Sequence, residues 1–340
     1  MKTKFDSHCI NGIAEGCKYC VRGEKLVLFV TGICKRDCWY CSLSEKRKNK
    51  NIIYANERVC KNVNDIIQEA KDSRATSAGI TGGDPLIAFD RTIKFASKLK
   101  KKFGKKFHIH IYLPTKFVTA EKLKKLSKCV DEVRFHPEFL IKENTIEADI
   151  KKIRTAGLFW KKENLGIELP MIPEKKKDIL DFILKMKDFV GFVNLNEFEL
   201  SETNFDKITK NYKLKEGGYV VKGSVEAGKW VLEQLGKKEI KLNVHICTAQ
   251  LKNLHQFQNR LRRHKIFPYG KRTEEGNVIY LVADGKLKMK NTFYDKEKNR
   301  TILSEEVAKR LLGKIKIKRV EEFPTCDRME IEEEVICPQK

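Results

Sequence analysis

The regular alternation of strand-like and helix-like segments between residues 25 and 200 constrains this chain more than any other feature. The runs KLVLFVTG (25–32), SAGITGGDP (77–85), FHIHIYLP (107–114), DEVRFHP (131–137), LGIELPMIP (165–173) and GFVNLNEFEL (191–200) read as strands. Between them VNDIIQEAKD (63–72), FDRTIKFASKLKKKFG (89–104), AEKLKKLSK (120–128), IEADIKKIRTAG (146–157) and KKDILDFILKMKDF (176–189) carry helical periodicity. Six βα-type units imply parallel strands with helices outside, as a closed or partial barrel. Chemistry in such barrels sits at the carboxyl ends of the strands. The notable residues fall there: three cysteines after the first strand, TGGDP after the second, RFHP, ELPMIP and NLNEFELSE after later ones.

The cysteines lie in TGICKRDCWYCSLSEK, as Cys34, Cys38 and Cys41. A closed structural zinc site wants four ligands. A cubane iron–sulfur cluster also has four irons to ligate. Three thiols from one tight loop leave one position open, and an open iron can bind a substrate or cofactor. Upstream, HCINGIAEGCKYCVRG holds Cys9, Cys17 and Cys20, candidates for a second metal site with zinc or an auxiliary cluster. Its fourth ligand would be His8, Cys247, Cys326 or Cys337.

The C-x3-C-x-aromatic-C loop, with Tyr40 as the aromatic residue, resembles the cluster motif of the radical S-adenosylmethionine enzymes. GITGGDP resembles their glycine-rich motif, with Asp84 where many members carry glutamate. The resemblance implies a partial (βα)6-type radical SAM barrel, an α/β fold. It also implies a [4Fe–4S] cluster on Cys34, Cys38 and Cys41 and S-adenosylmethionine chelated at the fourth iron. One-electron cleavage of the sulfonium then gives a 5′-deoxyadenosyl radical that abstracts hydrogen from a substrate. The backbone of Thr81, Gly82, Gly83 and Asp84 would hold the methionine moiety. The electron would come from a reductant such as ferredoxin or flavodoxin. GCKYCVRGEKLVLFVTGICKRDCWYC, DEVRFHP and NLNEFELSETN further resemble an archaeal group related to the activating enzymes of pyruvate formate-lyase. The group implies no particular substrate.

Three segments are expected: a cysteine-containing extension (1–24), the barrel (25–250), and a basic helix with a small α+β domain (251–340). A helix at 223–236, a further strand at 240–248 and a helix at 304–313 belong to this scheme. Arg134 and His136 share one face of their strand, as candidates for contact with S-adenosylmethionine or substrate, and Glu168 is another. Asn194, Asn196 and Phe198 share one face of the sixth strand, Leu195, Glu197 and Glu199 the other. His108 with His110, and His245 with Cys247, are candidate lumen pairs. Cys60 and Cys129 read as packing residues.

A net charge of +24 favours anionic partners. Arg260, Arg262, Arg263 and Lys265 on the basic helix are the best phosphate-binding candidates. The competing function is therefore a zinc-binding, non-enzymatic, basic nucleic-acid-binding protein. No apolar run is long enough to span a membrane, and the first residues carry no apolar signal core. Eleven cysteines then point to metal or catalysis in a reducing, cytoplasmic compartment.

Overall fold

The computed structural model describes residues 1–336, so Cys337 lies outside the described residues. The chain opens with a short strand β1 (His8–Ile10) and a helix α1 (Glu15–Val21). The barrel proper begins at β2 (Lys25–Phe29), and the loop after it contains the hairpin β3 (Tyr54–Ala55) and β4 (Arg58–Val59). Helices and strands then alternate: α2 (Val63–Asp72), β5 (Ser77–Thr81), α3 (Phe89–Phe103), β6 (His108–Pro114), α4 (Ala120–Leu126), β7 (Glu132–His136) and α5 (Ile146–Ala156). They continue through β8 (Leu165–Met171), α6 (Lys176–Met186), β9 (Phe192–Glu197), α7 (Phe205–Asn211), α8 (Ser224–Lys237) and β10 (Asn243–Cys247).

All strands from β2 to β10, the hairpin excepted, run parallel in the order β10-β9-β8-β7-β6-β5-β2. The sheet is an open, partial barrel of seven parallel strands, one more than the six βα units, because 243–247 adds the further strand. β1 pairs antiparallel with β10 at one edge, and the β3–β4 hairpin covers β2 at the other. Local sequence explains the element ends. Asn62 and Asp65 form a reciprocal cap on α2, Thr119 caps α4, and Gly104 at φ 87° ends α3.

The strands alternate with period two. Ile109, Ile111, Leu113, Val133, Phe135, Ile167, Leu169, Val193, Leu195, Val244 and Ile246 point outward into one continuous core under the helices. The intervening residues, among them His110, Arg134, Glu168, Asn194 and His245, face the lumen and are polar. That polarity is unusual for a barrel interior and needs partners. α1 supplies some, by turning into the lumen: Gly16 N–H donates to Glu132 Oε2 at 2.9 Å, and Arg134 donates to Cys17 Sγ at 3.3 Å.

After β10 the chain makes a π-helical turn, Leu251–Phe257, and a short helix α9 (Gln258–Arg263) that packs against the barrel. A separate antiparallel sheet follows: β11 (Lys271–Arg272), β12 (Val278–Asp284), β13 (Thr292–Asp295), β14 (Arg300–Leu303), helix α10 (Glu305–Leu311), β15 (Ile317–Glu322) and β16 (Glu330–Ile336). One buried network of Asp295, Arg300, Glu322 and Arg328 locks it. Among the described residues no helix is long and apolar enough to cross a membrane.

Candidate active site

A cavity of about 270 Å³ opens at the carboxyl ends of the strands. Cys34, Cys38, Cys41 and Tyr40 line one side, Thr81, Gly82 and Gly83 another, and Tyr112, His136, Asn196, Phe198 and Lys252 the rest. The cysteine loop is tied down on three sides. Arg36 donates to the carbonyls of His136 and Pro137 at 2.6 and 2.8 Å. Thr203 donates to the carbonyls of Cys41 and Leu43 at 3.2 and 2.6 Å. Trp39 stacks on Tyr212 and meets Phe198 edge-on.

The glycines serve loop-on-loop contact. A Cβ on Gly82 would lie 2.5 Å from the Thr31 carbonyl oxygen, and one on Gly83 2.5 Å from that of Ile33. Gly83 and Asp84 N–H donate to the Thr31 and Ile33 carbonyls at 2.7 and 2.9 Å. The TGGD turn and the start of the cysteine loop therefore nest backbone to backbone, which only glycine permits.

The three thiols are half-buried, and burial pushes Cys38 up to about 11 and raises Cys34. A centre that takes all three as thiolates relieves that cost. Three thiols from one loop on the cavity wall fit a cluster that keeps its fourth position for another ligand.

Other expected residues stand elsewhere. Arg134 and Glu168 lie below the cavity, in the lumen chamber that Cys17, Cys20, Lys25, His245 and Cys247 also line. Arg134 pairs with Glu132 at 2.6 Å and Glu168 at 3.1 Å, and Asn196 donates to Glu168 at 2.9 Å. Burial, the largest single influence, would raise the Glu168 carboxyl, but the Arg134 charge together with His136 and the hydrogen bonds from Asn196 and Arg134 holds it below the usual range. Asp84 is fully buried and accepts from Leu86 N–H at 2.9 Å; burial pushes it up to about 6. His136 lines the cavity with its imidazole held neutral, at about 4, by burial.

Cys9, Cys17 and Cys20 do not gather on one ion. Cys9 borders a surface pocket with Lys229 and Glu233 of α8, while α1 carries Cys17 and Cys20 into the lumen. Of the proposed fourth ligands, His8 shares the pocket with Cys9, and Cys326 lies beside Arg58. Cys60 and Cys129 are buried in the core. The basic helix spends several donors inside the fold. Arg260 pairs with Glu57, Arg262 and Arg263 donate to the carbonyls of Glu274 and Arg74, and Lys265 sits 3.8 Å from Asp72. These contacts pack α9 onto its neighbours.

Lys252 and Glu199 pair at 2.5 Å at the cavity mouth and carry no sequence signature that joins them. Lys252 sits in the π-helical turn, a distortion frequent at functional sites, and nothing in local periodicity announces it.

Comparison with known proteins agrees with this geometry. Residues 28–162 match the family model of the Radical SAM superfamily. A Methanocaldococcus jannaschii protein named as a glycyl-radical enzyme activating enzyme is 38% identical over 289 residues, 81% of this chain and 75% of that one. Among solved structures, the radical S-adenosylmethionine methyltransferase of Kitasatospora setae, with tryptophan and a SAM analog bound, gives a TM-score of 0.41 at 8% identity. It covers 73% of this chain and 52% of its own, so the present chain spans about half its length. Coproporphyrinogen III oxidase of Escherichia coli gives 0.40 at 11% identity, covering 66% and 56%. The chain belongs to the radical SAM superfamily of enzymes, in a group related to the glycyl-radical enzyme activating enzymes.

Proposed function

We propose that Cys34, Cys38 and Cys41 hold the [4Fe–4S] cluster, and that Tyr40, Thr81, Gly82, Gly83 and His136 border S-adenosylmethionine beside it. The substrate is a glycine residue of a partner polypeptide. The observation that carries the site is the convergence of one three-thiol loop and one glycine turn on a single cavity at the strand ends. The relationship to a protein named as an activating enzyme supports the polypeptide substrate.

When bound, the cluster and S-adenosylmethionine supply one-electron sulfonium cleavage and hence a hydrogen-abstracting 5′-deoxyadenosyl radical. The chain's own share is positioning. Arg36 and Thr203 fix the loop whose three cysteines would hold the cluster at the cavity wall. The nested glycine turn fixes one wall. Phe198, Tyr112 and Pro170 give the rest of the lining an apolar character that keeps water from a reactive centre. His136, neutral at physiological pH, presents a hydrogen-bonding imidazole without a competing charge. The electron comes from a ferredoxin- or flavodoxin-type donor, in a reducing cytoplasm that suits ten free cysteines among the described residues.

The test is anaerobic reconstitution with iron and sulfide, metal counting, and assay of 5′-deoxyadenosine after dithionite and S-adenosylmethionine. Wild type should hold about four cluster irons and make the nucleoside, and the triple Cys34/Cys38/Cys41→Ala variant should lose both. Zinc alone, with no nucleoside, would overturn the reading. The polypeptide substrate is tested separately, by the appearance of a glycine-centred radical signal in a co-expressed partner.

A further inference from the structure

The floor of the barrel carries a second cluster of metal-ligating groups that the cofactor chemistry above does not use. β6 and β7 begin with His108 and Glu132, and His110 stands on the same face as His108. One ligand atom from each of the three lies within 4.8 Å of the other two, and His108 Nε2 is 3.9 Å from Glu132 Oε2. No other such set of three exists among the described residues. All three residues are at most 9% exposed.

His108 Nε2 and His110 Nδ1 are buried with no hydrogen-bond partner. Each orphaned polar atom costs about 1–3 kcal/mol, so two side by side demand an explanation. Arg134 donates to Glu132 Oε1 at 2.7 Å, and Tyr112 Oη stands 3.4 Å from His110 Nε2. Two imidazole nitrogens are left without a partner, beside Glu132 Oε2, which accepts the Gly16 N–H and can take a second partner.

α1 preserves the space. A Cβ at Gly16 would lie 2.6 Å from His110 Nδ1 and 2.8 Å from Glu132 Oε1. The helix instead brings only its N–H, to Glu132 Oε2. Tyr19, one turn on, stacks on the His108 ring at 5.1 Å and limits its rotation.

We propose that His108 Nε2, His110 Nδ1 and Glu132 hold a divalent transition-metal ion, zinc or ferrous iron, at the floor of the barrel. Two imidazoles and a carboxylate suit those ions and disfavour calcium and magnesium, which prefer oxygen alone. Three protein ligands leave a position for water. Arg134 and Tyr112 are the outer partners that orient the carboxylate and one ring. The position at the amino ends of the strands makes the ion a clamp on α1, β6 and β7, remote from the radical chemistry. The second metal thus belongs to the histidine pair, and Cys17 and Cys20 are bystanders to it.

The decisive experiment uses the cluster-loaded full chain, dialysed anaerobically against a chelating resin and then given equimolar zinc. About one zinc per chain should be retained beside intact cluster iron, with a zinc-edge absorption spectrum fitted by nitrogen and oxygen and imidazole scattering. His108→Gln and His110→Gln should weaken zinc binding roughly 100-fold or more. Cys17→Ser and Cys20→Ser should keep it. Cluster iron content reports whether each variant is folded. A zinc-free wild type, unchanged zinc in folded histidine variants, or a sulfur shell in the spectrum would each overturn the proposal. The wild-type spectrum decides even where a variant fails to fold.

Discussion

Arg36 joins the cysteine loop to His136: its guanidinium, 3% exposed, donates to the His136 carbonyl at 2.6 Å from a position midway between Cys34 and Cys38. A second bond reaches the Pro137 carbonyl at 2.8 Å, and the Arg36 N–H donates to Cys34 Sγ at 3.4 Å. The loop's shape is thereby set by the end of β7. Charge-assisted bonds of this kind are worth about 1.5–3 kcal/mol each. Arg36→Ala should reconstitute with far less iron than wild type, and Arg36→Lys should fall between, since an ammonium cannot fork. Iron per chain measures this. Full loading of Arg36→Ala would mean the cysteines shape themselves.

Gly83→Ala sets a methyl 2.5 Å from the Ile33 carbonyl oxygen and 2.7 Å from that of Gly32. Both obstacles are backbone and cannot swing aside. The cost should be about 1–3 kcal/mol of stability. Because the strain falls between the two loops that border the cavity, S-adenosylmethionine binding by equilibrium dialysis should weaken more than the melting temperature falls.

Arg134 bridges two buried carboxylates, Glu132 and Glu168. Replacing it with methionine leaves both unpaired, and breaking a buried pair in this way costs about 3–5 kcal/mol. The denaturation midpoint should therefore drop sharply. A His136→Ala variant should instead keep its midpoint and lose nucleoside formation, because His136 borders the cavity and Arg134 does not. Equal behaviour of the two variants would contradict this division.

His245 has its imidazole 2.9 Å from Asn194 Oδ1 and 3.0 Å from Ser7 Oγ, and burial holds its pKa at about 4 against an ordinary 6.5. Arg134 and His8 act in the same direction and Glu168 opposes them. The unfolded chain therefore binds the proton more readily. Stability from this group is fully present above pH 6.5 and is lost as pH falls toward about 4. Melting temperatures between those limits should decline, and His245→Gln should flatten the decline.

The barrel was legible because its outer faces are continuous apolar runs at strand spacing, and the cysteine loop because three thiols at fixed offsets have few other uses. The interior was harder to read. RFHP shows that Arg134 and His136 share a face, but not that one stands at the cavity and the other a pleat below it, tied to Glu132. The arginines of α9 look alike in sequence, and only the tertiary structure separates Arg260, paired with the Glu57 carboxylate, from Arg262 and Arg263, which donate to the carbonyls of Glu274 and Arg74. β1 and α1 escaped notice because a three-residue edge strand and a seven-residue helix carry too little periodicity. The His108–His110–Glu132 group joins two strands and needed the register His110↔Glu132 to appear.

The pairing of β1 with β10 gives synthesis of this chain a particular timetable. Cys9 lies opposite His245, so β1 docks only when a strand made more than two hundred residues later emerges. At about 5–20 residues per second, that is a wait of roughly ten seconds to most of a minute. Throughout it Cys9, Cys17 and Cys20 are exposed to whatever oxidants and metals the compartment holds. An oxidising host would catch the chain at that stage, long before any cluster is assembled.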